Sequence, residues 1–258
     1  MTGVASPEPH LGWYSRGYLP HWDHPGMIQT ITYRLHDSLP ADLVRKWRVE
    51  LGLTRKLGEP TLHSAAEAEL RKRMANYEDA GHGACWLRDE RVALIVEQAM
   101  LHFDGRRYRL LAWCVMPNHV HAMIETVEGI SLSDVLHSWK SYTANQANAV
   151  LGRQGEFWQR EYHDRYIRDA EHYAKALHYI EENPVKSGLV KQAVEWSFSS
   201  VHYRNTPISP GSAGILPAVQ PPAPSIYQRS SDCSLEIESS QQNSRQDAGA
   251  PRNNDHGM

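Results

Sequence analysis

Cysteine is scarce: Cys85, Cys114 and Cys233 sit far apart, and none belongs to a CxxC pair. That spacing argues against a disulfide framework and against a cysteine-based zinc site. Long apolar runs are missing too, since nothing approaches the roughly 18 consecutive residues of a membrane span. The opening stretch MTGVASPEPHLGWYSRG has no apolar h-region, so the expectation is a cytoplasmic protein with no membrane association. Nor is there an overall basic charge: the net charge is -3 and the isoelectric point near 6.6. Any contact with nucleic acid must then come from local patches.

What is present is a hydrophobic content of 41% in 258 residues, enough for a real core in one large or two small domains. Residues 1 to 26 read as an irregular lead-in punctuated by Pro20, Pro25 and Gly26. Met27 to Leu35 alternates as a strand. A helix follows Ser38-Leu-Pro-Ala-Asp to about Leu53, and residues 64 to 79 form a second, charged on most faces and ended by Gly81 and Gly83. Together, residues 37 to 85 look like a helical insertion. Asp89 caps the next helix, with Val92, Ile95, Val96 and Ala99 turned inward.

Tyr108 to Met116 and His119 to Thr126 are two strands joined by Pro117-Asn118. Ser131 opens a long helix to about Leu151, and Asp169 opens another that should stop before Asn183-Pro184. The fold expected is α+β, a small antiparallel sheet with helices packed on one face.

The stretch WCVMPNHVHAMIE carries His119 and His121, one residue apart on a strand. Such residues point the same way about 7 Å apart, half of a metal site, although an ordinary surface or core pair has the same spacing. On the helix after Asp169, Tyr173, Leu177 and Ile180 form the apolar stripe, while Tyr179 lies off it on the flank of His172 and Asn183. Tyr179 and Asn183 are neighbours at i, i+4. Taken alone, Tyr179 reads equally as a packing tyrosine. Lys140 and the arginines of EFWQREYHDRYIR, Arg160, Arg165 and Arg168, are candidates for phosphate contacts together with Lys186. A solvated helix face accounts for Lys140 as well.

The joint order of YLPHWDHPG, WCVMPNHVHAMIE, FWQREYHDRYIRD and YIEENPVKSGLV followed by EWSFSS resembles the REP-associated tyrosine transposases. These are relatives of the single-tyrosine HUH, or IS200-like, transposases, and the likeness covers roughly residues 13 to 204. It implies a ferredoxin-like sheet, His119 and His121 as the HUH pair, Tyr179 as nucleophile, and Asn183 as an oxygen-donating third metal ligand. It further implies cleavage and rejoining of single-stranded DNA beside hairpin elements through a 5′-phosphotyrosine, with Mg²⁺ or Mn²⁺ as cofactor, in a monomer or homodimer. Two other classes stay open: a DNA-binding regulator of the same fold without cleavage, and a metal-dependent phosphoesterase that activates water.

From about residue 207 the composition turns to Pro, Ser, Gln and Gly, which reads as a disordered tail after a domain of residues 1 to 206. Residues 210 to 219 and 243 to 252 allow reverse-complementary codons at all ten positions. Ala213-Gly-Ile-Leu216, for example, matches Gln246-Asp-Ala-Gly249. The expectation is a tail translated from an inverted repeat, with no folding or catalytic role.

Overall fold

The strand Ile28–Arg34 turns Ile31 and Tyr33 into one core and Ile28 into another, and it is built into the centre of the molecule accordingly. A computed structural model of the chain describes residues 12–15, 20–23, 26–53 and 65–206. The expected tail from residue 207, with its expected inverted repeat, and residues 54–64 lie outside the described residues. In chain order the elements are β1 (Gly12–Ser15), β2 (Pro20–Asp23), β3 (Ile28–Arg34), α1 (Ala41–Glu50), α2 (Ala65–Asp79) and α3 (Glu90–His102). Next come β4 (Tyr108–Val115), β5 (His119–Thr126), α4 (Leu132–Leu151), β6 (His163–Tyr166), α5 (Ala170–Lys186) and α6 (Ser200–Asn205), with short 3-10 turns at Trp86–Arg88 and Ala193–Glu195.

The lead-in is not irregular as expected, because β1 and β2 pair antiparallel with Trp13 opposite Trp22. The aromatic β-formers outweigh Pro20, which opens its strand, a place where a missing N–H is tolerated. The main sheet has the order β4-β5-β3-β6, every pair antiparallel. With a helical crossover after β3 and another after β5, this is the ferredoxin-like arrangement that the motifs imply.

Strict alternation along β5 divides its side chains between two layers. Val120, Ala122 and Ile124 enter the larger core, with Val92, Val96 and Met100 of α3 and Leu136 and Trp139 of α4. Met123 enters a second core on the opposite face, with Tyr173 and Ile180 of α5. A bulge between Leu110 and Ala112 resets β4, so that Leu111 and Ala112 both join that second core. Helices on one face therefore describes α3 and α4 alone. The stripe Tyr173, Leu177 and Ile180 makes α5 a third layer, and it is this layer that carries Tyr179.

The helix also runs one turn further than expected, to Lys186 with Pro184 inside it. Asn183, fully buried, keeps helical bonding because its carbonyl accepts from the Ser187 amide at 2.9 Å. That packing outweighs the preference against helix before proline. Helices α1 and α2 form the insertion, held to each other by Trp47 edge-on to Tyr77 at 5.8 Å and by Arg73 bonded to Glu50 at 3.0 Å. Where β3 ends, Arg34 of the sheet meets Glu78 of α2 in a buried ion pair. The insertion is thereby fastened to the sheet on the face covered by α5.

Candidate active site and metal centre

The register of the sheet decides what surrounds the histidine pair. His121 lies opposite Thr32 of β3 and Cys114 of β4, while His119 lies opposite Arg34. Partners across an antiparallel pair share a face, so Thr32 Oγ1 reaches His121 Nδ1 at 2.9 Å. Asn118 Oδ1, from the turn before β5, reaches His119 Nδ1 at 2.7 Å. Asn118 Oδ1 can only accept, so His119 Nδ1 donates and Nε2 keeps its lone pair. The same tautomer of His121 donates to Thr32 Oγ1 and is the one in which histidine binds metal through Nε2.

The two Nε2 atoms converge at 3.0 Å. Two lone pairs at that distance repel unless a cation stands before both. Ligands at right angles on an ion with bonds of about 2.1 Å are themselves about 3 Å apart, so the spacing suits a shared ion. Burial holds both imidazoles neutral and ready to ligate: His119 lies well below the usual histidine range and His121 falls to about 3, with Lys186 adding to the effect at both.

Asp79, the last residue of α2, completes the cluster. Its ligand oxygen and the two histidine nitrogens all lie within 4.8 Å of one another. Asp79 Oδ1 stands 3.8 Å from His119 Nε2, buried and without a hydrogen-bond partner. An orphaned buried carboxylate oxygen beside two converging imidazole nitrogens fits a divalent cation, which would satisfy all three. Nothing local in the sequence marks Asp79. It lies 40 residues before His119 in the insertion, and only the fold brings it in.

Asn183, the expected third ligand, is also at the site, with Nδ2 at 3.2 Å from His121 Nε2. A half-turn of the amide would present Oδ1 at the same place. Tyr179 stands one helical turn back, its ring edge-to-face with His121 at 5.3 Å and 38% of its surface exposed. Burial, then the charges of Asp79 and Glu78, push its phenol above the usual range, while a hydrogen bond with Asn183 works the other way. Lys186 lies over the same ring, 5.2 Å from its centre, with its ammonium 3.0 Å from Asp79 Oδ2.

The fold thus brings together Tyr179, His119, His121, Asn183 and Lys186. The other candidates for phosphate contact lie elsewhere. The Lys140 ammonium donates to the carbonyls of Gln159 and Arg160 at 2.6 and 2.7 Å, and burial lowers it to about 8. It ties α4 to the segment before β6. Arg160, Arg165 and Arg168 are exposed. Arg165 and Arg168 stand near enough to each other and to Arg71 of α2 for their charges to lower the Arg165 guanidinium, after burial. Arg165 pairs with Thr30, two residues before Thr32, which places it on the face of the histidines.

Residues 88–183, from the 3-10 turn before α3 to Asn183, match the family model described as "Transposase IS200 like". A REP-associated tyrosine transposase of Escherichia coli (strain K12) is 33% identical over 97 residues, which span 38% of this chain and 56% of that protein. Over this span the chain is similar to the IS200-like transposases and to a REP-associated tyrosine transposase. A similarly named protein of Haemophilus influenzae is 28% identical over 105 residues, 37% of this chain and 60% of that one. The chain therefore spans little more than half the length of these curated relatives. A solved structure of a REP-associated tyrosine transposase bound to a REP hairpin is 20% identical, covering 82% of this chain and 94% of that chain at a TM-score of 0.41. The span that matches the IS200-like transposases holds His119, His121, Tyr179 and Asn183, whereas Asp79 precedes it.

Proposed function

We propose that the protein cleaves and rejoins single-stranded DNA beside palindromic hairpin elements, with Tyr179 as nucleophile and a divalent ion, Mg²⁺ or Mn²⁺, at His119 and His121. The observation that carries this reading is Tyr179 in ring contact with His121, whose Nε2 converges with that of His119 beside the unpartnered Asp79 oxygen. The histidines and the Asp79 carboxylate would hold the ion, with the Asn183 amide beside them. When bound, such an ion polarises the scissile phosphate and stabilises the charge that develops on it.

In the cleavage step the Tyr179 oxygen bonds to phosphorus and the bond from phosphorus to the 3′-oxygen breaks. The phenol proton leaves to solvent and the released 3′-oxygen takes one up. The product is a 5′-phosphotyrosine with a free 3′-hydroxyl, and the reverse attack by a 3′-hydroxyl rejoins the strand without ATP. Phenol is a poor nucleophile at neutral pH and depends on position. The buried stripe of α5 gives that position by fixing the helix against the sheet, with Asn183 one turn beyond Tyr179. Asn118 and Thr32 orient the two imidazoles. Exposed Arg71, Arg165 and Arg168 would hold the phosphates of the strand, in a protein working in the cytoplasm as monomer or homodimer.

Incubation with a labelled hairpin oligonucleotide and Mg²⁺ or Mn²⁺ tests this on a denaturing gel. The expected result is a covalent protein–DNA band that Tyr179→Phe abolishes. A band that persists in Tyr179→Phe, or cleavage that proceeds with no covalent species, would overturn the nucleophile and favour a water-activating phosphoesterase.

A further inference from the structure

Lys186 holds an unusual place. It lies seven residues after Tyr179, two turns along the same face of α5, with its ammonium between the Tyr179 ring and Asp79. The other cation beside the histidines, Arg34, is buried and closed off by Glu78, both side chains at 6% exposure. Lys186 by contrast is 52% exposed while its partner Asp79 is 11% exposed. It is a flexible cation that reaches in from solvent to a nearly buried carboxylate.

The two oxygens of that carboxylate are used differently. Oδ2 accepts from Lys186 at 3.0 Å, while Oδ1 faces His119 without a hydrogen bond. A divalent ion at the histidines would take Oδ1 and draw on the same carboxylate charge, which weakens the hold of Oδ2 on the ammonium. A lysine ammonium is a compact point charge on a four-carbon stem, able to swing between partners a few ångströms apart. From its position over the Tyr179 ring, the next acceptor within that swing would be a phosphate at the Tyr179 hydroxyl.

We propose that Lys186 is an exchangeable counter-ion. It occupies Asp79 until a divalent cation claims that carboxylate, and then turns its ammonium to a non-bridging oxygen of the phosphate facing Tyr179. This rests on the metal-dependent reading above and adds a consequence to it: cation and DNA each release Lys186 for the other, so their binding is coupled through this side chain. Lys186 acts here as a positioning residue for the phosphate, and the device is local to α5 and the end of α2.

The test uses the full chain carrying Tyr179→Phe, so that DNA binds without being cut. Mn²⁺ is titrated calorimetrically with and without a hairpin oligonucleotide bearing a single-stranded flank. Adding Lys186→Met should tighten Mn²⁺ binding in the absence of DNA by about three- to tenfold, since a competing charge is removed. It should also reduce the gain in Mn²⁺ affinity that DNA brings, and Lys186→Arg should restore most of that gain. Tighter cation binding is not what loss of a merely structural lysine would produce. Unchanged or weaker Mn²⁺ binding in Lys186→Met, or an undiminished gain from DNA, would overturn the proposal and leave the metal-dependent reading standing. Absence of any Mn²⁺ binding to the Lys186-containing protein would overturn both.

Discussion

The ion pair between Arg34 and Glu78 ought to be expensive to break and cheap to replace. Both side chains are 6% exposed, and burial raises the Glu78 carboxyl above its ordinary range even though Arg34 draws it down. Removing one partner strands a charge out of water, which costs about 3–5 kcal/mol, whereas exchanging both for apolar groups of similar volume is close to neutral. Arg34→Met and Glu78→Met alone should therefore each lower stability by about 3–5 kcal/mol, and the double variant by less than about 1–2 kcal/mol. In urea, with a slope of about 2 kcal/mol per molar, each single variant should move the midpoint down by roughly 1.5–2.5 M. Each should also lower the melting temperature by roughly 6–20 °C, at about 2–4 °C per kcal/mol for a chain of this size. Equilibrium urea unfolding of the four proteins closes the cycle. A double variant as unstable as the sum of the singles would show no coupling between the two side chains and refute the stranded-charge argument. Glu78 adjoins Asp79, so the cycle has a second readout. If this pair seats the end of α2, the double variant keeps its fold but loses Mn²⁺ affinity.

Three further outcomes follow from the same site. Asp79→Asn should weaken Mn²⁺ binding at least tenfold, by analogy with losses at supporting ligands, and more than Asn183→Ala does; calorimetry that finds the reverse order would return the third ligand to α5. The ion-free protein should lose stability as the pH falls from about 6.5 toward 4. The folded-state values of His121 and His163, about 3 and about 4, lie below those of the unfolded chain, which takes up protons that the folded chain refuses. Urea midpoints flat across that window would contradict it. Deleting residues 207 to 258 should leave the covalent adduct at its full yield on a denaturing gel, and a clear loss would give the tail a role that its composition does not suggest.

Periodicity carried the sheet because its strands are long and its faces consistent. Ile31, Tyr33, Val120, Ala122 and Ile124 alternate with residues of the other layer, and the pairing puts them where alternation says. The caps at Asp89, Ser131 and Asp169 are equally local signals, and each side chain accepts from the backbone amide expected of a cap. Short or competing signals fared worse. Four residues of β6 and the two four-residue strands β1 and β2 are too brief for a period to stand out. Pro184 is a strong stop signal that lost to a buried Asn183.

The difference between Asn183 and Asp79 marks the reach of local pattern. Tyr179, Asn183 and Lys186 are separated by whole helical turns, so helical periodicity by itself puts them on one side of α5. His119 and His121 are related by the pleat in the same way. Asp79 has no such relation to any of them: its approach depends on where a 15-residue helix docks, and that is fixed by Arg34 and Glu78 across 44 residues of chain. A carboxylate at the end of a charged helix has the pattern of solvated surface, and only the docking of α2 distinguishes it. The site's electrostatics hinge on it nonetheless. Asp79 supplies the anion nearest the imidazoles, opposes ionisation of Tyr179 and fixes Lys186. An ion that neutralises Asp79 would therefore change the charge felt by the nucleophile and free a cation beside it at once. On this argument the helical insertion is a wall of the active site, and a variant lacking α2 should keep the sheet's hydrophobic core yet bind neither Mn²⁺ nor DNA in a coupled way.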